Sequence, residues 1–232
     1  MEELSVLAII PARSGSKGLP GKNIINCAGR PLISWSIVAA IESKYITRVV
    51  VSTDSEEIAE VAKEYGAWVP FLRKPDLAKN DSSITDVIND VISNIKNQFR
   101  YDLVILLQPT SPLRTSIHID EAIDLYIKKK TDSSDTLVSL YEVDSKCLYA
   151  FGIKKDSGNM YSHFGVDLKN LRRQNLPKCY VPNGAIYIAT MNFFAGFYTE
   201  NTIPFIMNKD ASIDIDSLDD LEKASAVLSK KM

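Results

Sequence analysis

The stretch Val6-Leu7-Ala8-Ile9-Ile10-Pro11-Ala12-Arg13-Ser14-Gly15-Ser16-Lys17-Gly18-Leu19-Pro20-Gly21-Lys22-Asn23 decides the fold, and it changes character at Pro11. Before that point the residues are apolar without alternation. This is the pattern of a strand buried on both faces, as in a parallel sheet covered by helices. After it come glycines at 15, 18 and 21 and cations at 13, 17 and 22. Glycine opens backbone conformations that other residues avoid and lets amides turn toward a ligand. A flexible, amide-rich loop carrying Arg13, Lys17 and Lys22 suits a triphosphate or a departing pyrophosphate. The spacing is neither that of a Walker A loop, where Asn23 would have to be a hydroxyl residue, nor that of a dinucleotide fingerprint. The plain alternative is a solvated turn that uses glycine for its own sake. A position directly after a buried strand favours a ligand loop.

Leu103–Leu107 is a second continuous apolar run, and between the two the pattern alternates. A helix is expected from Pro31 to about Lys44, with proline in its first turn. A strand follows at Arg48–Ser52, then a helix from Ser55 to Tyr65, capped by Ser55 or Asp54 and stopped at Gly66. A short strand is expected at Trp68–Phe71 and a helix from Ser83 to about Gln98. After Leu107 a further helix begins near Ser116 and ends in the Lys128–Lys130 run, where cations suit a helix C-terminus. This order predicts an α/β fold, a Rossmann-like, mostly parallel sheet flanked by helices, with ligands at the carboxyl ends of the strands. Polar, Gly- or Pro-rich stretches follow the strands at Ala12–Asn23, Thr53–Ser55, Arg73–Ser82 and Gln108–Thr115.

Beyond Thr136 the alternation weakens. Thr136–Val143 and Leu148–Ile153 read as paired strands, Asp156–Lys178 as polar and irregular, Ala185–Thr190 as a strand and Ser217–Ser229 as a terminal helix. The expectation is one domain over residues 1–232, with a small β-containing insertion at about 136–180 that covers the site or pairs with another subunit. The chain has 232 residues, 45% hydrophobic and 24% charged, ordinary for a globular protein with a core. A formal net charge of −2 gives no broad electrostatic reason to bind nucleic acid or an anionic membrane, so any anion site must be local. The start, Met1-Glu2-Glu3-Leu4, lacks the features of a signal peptide. The longest apolar runs are strand-length. Cys27, Cys147 and Cys179 follow no disulfide or zinc spacing, so reduced thiols and a cytoplasmic location are expected.

Near the C-terminus, Ser212-Ile213-Asp214-Ile215-Asp216 alternates apolar and acidic residues. In an extended backbone Ile213 and Ile215 face the core and both carboxylates project from the other side. Two carboxylates so close repel unless a cation joins them, and magnesium favours carboxylate, water and phosphate oxygens. On spacing alone, a solvated strand edge fits equally well.

The segment Ile9–Asn23 resembles the nucleotide signature of the acylneuraminate cytidylyltransferases (CMP-sialic acid synthetases), including their CMP-legionaminic acid relatives. The resemblance recurs in order at Val51-Ser52-Thr53-Asp54, at Leu107-Gln108-Pro109-Thr110-Ser111-Pro112-Leu113-Arg114, at Pro182-Asn183-Gly184-Ala185-Ile186-Tyr187 and at Ser212–Asp216. It covers nearly the whole chain. It implies an enzyme that joins CMP from CTP to the anomeric hydroxyl of a nine-carbon 2-keto sugar acid and releases pyrophosphate. The related Kdo cytidylyltransferases usually carry arginine in place of Lys17 and lack the Lys22-Asn23 pair in this form. Kdo or another sugar remains the rival substrate, and a non-catalytic nucleotide-binding protein the rival class.

The same resemblance implies the site. Asp214 and Asp216 match the family's Mg²⁺ ligands and, with Arg13 and Lys22, form the catalytic set. Ala12, Arg13, Ser14, Gly15, Lys17, Lys22, Asn23, Arg73, Ser82 and Gln108 match the nucleotide site, Asn23 at the ribose and Arg73 with Asp81-Ser82-Ser83 at the cytosine. Arg73 is otherwise a surface cation, and Arg114 either braces its loop or touches substrate. Gln108, Lys146, Arg173, Gln174 and Tyr187 match sugar-facing positions. Phe197 and Tyr198 match an aromatic pair supplied across a homodimer interface, or pack in the core. The family often has arginine before Pro-Asn-Gly, where this chain has Val181, a departure that suits a sugar with fewer hydroxyls, such as legionaminic acid. His118 and His163 sit in no metal or triad pattern.

Overall fold

A computed structural model describes residues 4–15, 18–79, 81–132, 135–164, 176–191 and 196–230. Arg173, Gln174 and Lys17 lie outside the described residues. Strand β1 (Val6–Pro11) leads through two-residue strands β2 (Asn26–Cys27) and β3 (Arg30–Pro31) to helix α1 (Leu32–Ile41). Then come β4 (Ile46–Ser52), α2 (Glu56–Glu64), α3 (Ile84–Ile95), β5 (Leu103–Leu106) and α4 (Ser116–Lys129). The remainder is β6 (Thr136–Val143), β7 (Phe151–Ile153), β8 (Met160–Ser162), β9 (Cys179–Thr190), β10 (Thr202–Ile206) and α5 (Leu218–Ser229).

The main sheet has six strands in the order β10-β6-β9-β5-β1-β4. β1 pairs parallel with both β4 and β5, and β10 pairs parallel with β6. β9 runs antiparallel between β5 and β6, so the sheet is mostly parallel with one reversed strand. This sheet, with helices between its strands, is the expected α/β class.

β1 shows why its sequence is apolar throughout. Val6, Ala8 and Ile10 face a core shared with Ile33 and Ile37 of α1 and Ile119, Ile123 and Tyr126 of α4. Leu7 and Ile9 face the opposite side, against Ile88, Val91 and Ile95 of α3. A strand covered on both faces has no position at which a polar side chain would reach water.

The helix starts follow local capping chemistry. The Ser55 hydroxyl accepts from Ile58 N at 3.3 Å and the Ser83 hydroxyl from Thr85 N at 3.2 Å. Thr115 and His118 form a capping box at α4, which gives His118 a structural duty. Ser217 and Asp220 form the same device at α5. α5 packs through Leu221, Ala224 and Leu228 on Leu19, Leu32, Leu113 and Ile215. That third cluster carries the C-terminal acidic segment back to the N-terminal loop.

Three expected elements differ. Trp68–Phe71 is a single bridge from Trp68 to Val50, because Pro70 has no N–H to continue the ladder. Leu148–Ile153 does not pair with β6. A 3-10 turn covers Ser145–Tyr149, and β7 pairs antiparallel with β8 in a separate hairpin. β6, at the start of the expected insertion, belongs to the main sheet. β10 was not foreseen. It holds Pro204 and lies at the sheet edge, where a missing donor is tolerated.

Candidate active site

At the carboxyl end of β1 the chain leaves the sheet with Ala12 N donating to Ser52 O at 2.9 Å. Three contacts then hold the loop. Asn23 Nδ2 donates to Arg13 O at 2.8 Å, and Arg13 Nη1 donates to Lys79 O at 3.0 Å. Ser14 gives its N–H and its hydroxyl to Asp54, at 2.8 and 2.6 Å. Gly21, with φ 64°, turns the chain into the 3-10 turn Lys22–Ile24.

The loop borders a cavity of about 340 Å³. Its lining includes Arg13, Lys22, Asn23, Arg73, Ser82 and Gln108, all expected at the nucleotide. Lys79, Leu77, Ile84, Val87 and Thr110 also line it and were not foreseen. Ala12 is buried beside the cavity, and Gly15 is exposed. Ser14 has both donors committed to Asp54.

Arg73 is no surface cation. It is buried, its Nε donates to Ser52 Oγ at 3.1 Å, and its Nη2 donates to Ser52 O. Burial pushes its guanidinium down to about 10, opposed by the charge of Asp54 and reinforced by that of Arg13.

Arg114 braces rather than binds. It is 2% exposed, and its Nη1 donates to Ala185 O at 2.9 Å and to Gln108 O at 3.2 Å. Burial alone lowers its guanidinium to about 9. The bracket fixes Gln108 against β9. Gly184, with φ +73°, completes it: a Cβ there would stand 3.0 Å from Gln108 Oε1.

The acidic segment reaches the same cleft. Ile215 N donates to Thr110 O at 2.9 Å, and Lys22 Nζ donates to Ile215 O and to Asp216 Oδ1, both at 3.0 Å. A Cβ on Gly18 would meet Asp216 O at 2.9 Å, so the loop passes against the acidic backbone. Residues 212–215 form no ladder, yet the expected alternation holds: Ile215 is fully buried, while Asp214 and Asp216 are exposed. Asp214 keeps part of its side chain open, but burial of the remainder is the largest cause raising its carboxyl above the ordinary range. Thr110 opposes that shift by hydrogen bonding, and the charge of Asp216 adds to it.

Asn183 ties these parts together. It is buried, and its Nδ2 donates to Ser212 Oγ at 2.9 Å while its Oδ1 accepts from Ser139 Oγ at 2.6 Å. Tyr187 stands near Asp214. Burial, Tyr198 and Asp214 together push its phenol well above the ordinary value. Phe197 is buried against the Tyr187 ring, 5.2 Å between centroids, whereas Tyr198 is exposed. Lys146 is exposed on its 3-10 turn and paired with Asp144 at 3.8 Å.

Residues 7–229 match the cytidylyltransferase family, and the chain belongs to that family. It is 40% identical over 219 residues to the CMP-N,N'-diacetyllegionaminic acid synthase of Legionella pneumophila, covering 92% of each chain. It is also 40% identical to an N-acylneuraminate cytidylyltransferase of Streptococcus agalactiae, over 92% of this chain and 51% of that one. The chain thus spans about half the length of those N-acylneuraminate relatives. In fold it resembles a solved CMP:2-keto-3-deoxy-manno-octonic acid synthetase complexed with CTP, at TM-score 0.72 and 14% identity over 98% of this chain and 100% of that one.

Proposed function

We propose that this chain transfers CMP from CTP to the anomeric 2-hydroxyl of a nine-carbon 2-keto sugar acid, an N-acylneuraminate or legionaminate, and releases pyrophosphate. One observation carries the reading: Lys22 of the N-terminal loop lies 3.0 Å from Asp216 of the C-terminal segment, so the cationic and acidic halves share one cleft. The name of the Legionella relative, which matches over nearly its full length, supports the sugar class.

In the reaction an O–Pα bond forms as the Pα–O–Pβ bond breaks, and the 2-hydroxyl gives up its proton. No covalent enzyme intermediate is needed, so catalysis rests on positioning and charge neutralisation. Arg13 and Lys22 take the charge of the departing pyrophosphate. Asn23, Arg73 and Ser82 hold the nucleoside end in the cavity they line. Gln108, fixed by Arg114 and Gly184, stands between nucleotide and sugar, and Tyr187, Tyr198 and Lys146 face the sugar.

Asp214 and Asp216 fit Mg²⁺ by their chemistry. They offer hard carboxylate oxygens, and the strain that raises Asp214 is the kind a cation relieves. A bound Mg²⁺ would neutralise phosphate charge and ease loss of the proton from a coordinated hydroxyl. Two further parts of the reading are a cytoplasmic location and a homodimer formed through the segment that includes β7 and β8. Ile153 and Met160 in that hairpin are 75% and 64% exposed, apolar surface that a second copy would cover.

The test is pyrophosphate release from CTP with N-acetylneuraminic, legionaminic and Kdo acids side by side. Release with a nine-carbon acid is expected, together with a loss of at least about a hundredfold in kcat/KM in Asp216→Ala. Release with Kdo alone would replace the sugar class. CTP binding without release on any acid would make the protein a nucleotide binder.

A further inference from the structure

Asp54 is charged, sits beside the nucleotide cavity and lines no part of it. It follows β4, while the loop it touches follows β1, and the two strands pair parallel with Pro11 opposite Ser52. The carboxyl ends of neighbouring strands therefore lie side by side, and Asp54 spans the gap. Both of its oxygens serve one residue: Oδ1 accepts the Ser14 N–H at 2.8 Å and Oδ2 the Ser14 hydroxyl at 2.6 Å. Burial works to raise its carboxyl, but the two Ser14 bonds and the charge of Arg73 hold it below the ordinary range.

An anion next to a triphosphate site works against binding unless it does something else. Here its charge is spent on Ser14. Arg13, the preceding residue, lines the cavity, whereas Ser14 and Asp54 do not. The Arg13–Ser14 peptide is held at both polar groups: Asn23 donates to its carbonyl from one side, and Asp54 accepts its N–H from the other. Beyond Ser14 the chain enters Gly15, where backbone freedom is greatest. Without Asp54 the Arg13–Ser14 peptide keeps the Asn23 bond to its carbonyl but loses the acceptor for its N–H.

We propose that Asp54 is a positioning residue for nucleotide binding. By taking both donors of Ser14 it sets the backbone that aims the Arg13 guanidinium into the cavity. It acts through Ser14 and Arg13, and the proposal rests on the reading that the cavity takes CTP.

The experiment measures CTP affinity of the full chain by calorimetry without sugar acid, then KM for CTP and for the accepted sugar acid. Asp54→Ala should weaken CTP binding by about tenfold or more while the sugar-acid KM stays within about twofold. Such a split is not what a general loss of structure produces. Asp54→Asn should restore most of the affinity. Its amide oxygen accepts the Ser14 N–H, and its amide N–H donates to the Ser14 hydroxyl, which can also accept. Circular dichroism melting checks that each variant is folded. Should Asp54→Ala not fold, Ser14→Ala deletes the hydroxyl bond alone and should weaken CTP binding by about fivefold.

CTP affinity within about twofold of wild type in the folded variant, or Asp54→Asn as weak as Asp54→Ala, overturns the positioning role. A wild-type chain that binds no CTP overturns the nucleotide reading instead, and the proposal with it.

Discussion

At the scale of single residues, the site is under electrostatic and steric tension that can be read in stability as well as in rate. The Asp214 carboxyl is raised in the folded chain, chiefly by burial and further by Asp216. The folded state therefore keeps a proton that the unfolded state has lost, and stability falls as pH rises through that interval. At neutral pH the ionised group opposes folding. Without metal, Asp214→Asn should melt at or above the wild-type temperature at neutral pH, with the difference shrinking below the ordinary carboxylate range. Melting in chelator at both pH values checks this, and a lower neutral-pH melting temperature in Asp214→Asn would contradict it. Gly184→Ala strains a backbone with φ +73° and pushes a Cβ to 3.0 Å from Gln108 Oε1. A strain of about 1–2 kcal/mol is expected from the backbone alone. Displacement of the Gln108 amide should lower kcat/KM by about tenfold or more, read in the pyrophosphate assay.

At the scale of elements, caps place the chemistry. The capping box of α5 begins one residue after Asp216, and Asp220 Oδ2 accepts from both Asp216 N and Ser217 N, at 3.3 and 3.0 Å. The same helix that closes the third core cluster therefore orients a carboxylate proposed to bind metal. Ser217→Ala should cost about 1 kcal/mol, a fall of about 2–4 °C in Tm. It should also weaken the response of activity to Mg²⁺, measured by titrating the ion. The elements whose periodicity was strongest were legible: β1, β4, β5 and all five helices stand within a few residues of their expected bounds. Those governed by distant pairing were not. Nothing in residues 148–153 distinguishes a strand that pairs with β6 from one that pairs with β8. Pro204 disguises an edge strand, because sequence cannot tell an edge from a centre.

At the scale of the whole molecule, the paired strand ends make the cleft, and the hairpin of β7 and β8, a separate sheet, carries exposed apolar residues. If a second copy covers that surface, Ile153→Asp should shift the chain from dimer to monomer in sedimentation velocity without lowering its melting temperature by more than a few degrees, since Ile153 is 75% exposed in the single chain. A wild-type chain that sediments as a monomer would remove the dimer from the reading.

The fold class, the glycine-rich basic loop after β1 and the alternation of residues 213–216 were legible in the sequence, because each is written in neighbouring residues whose spacing has a direct physical meaning. Two-sided burial demands an unbroken apolar run, amide turns demand glycine, and alternation separates buried isoleucines from exposed aspartates. That Lys22 meets Asp216, that Arg73 is buried on Ser52, that Arg114 is a brace and that Asp54 holds Ser14 emerged from the folded chain. Those contacts join residues from 6 to 194 positions apart in the chain. Most of them exist because the sheet brings strand ends together, an outcome of long-range packing that no local pattern encodes.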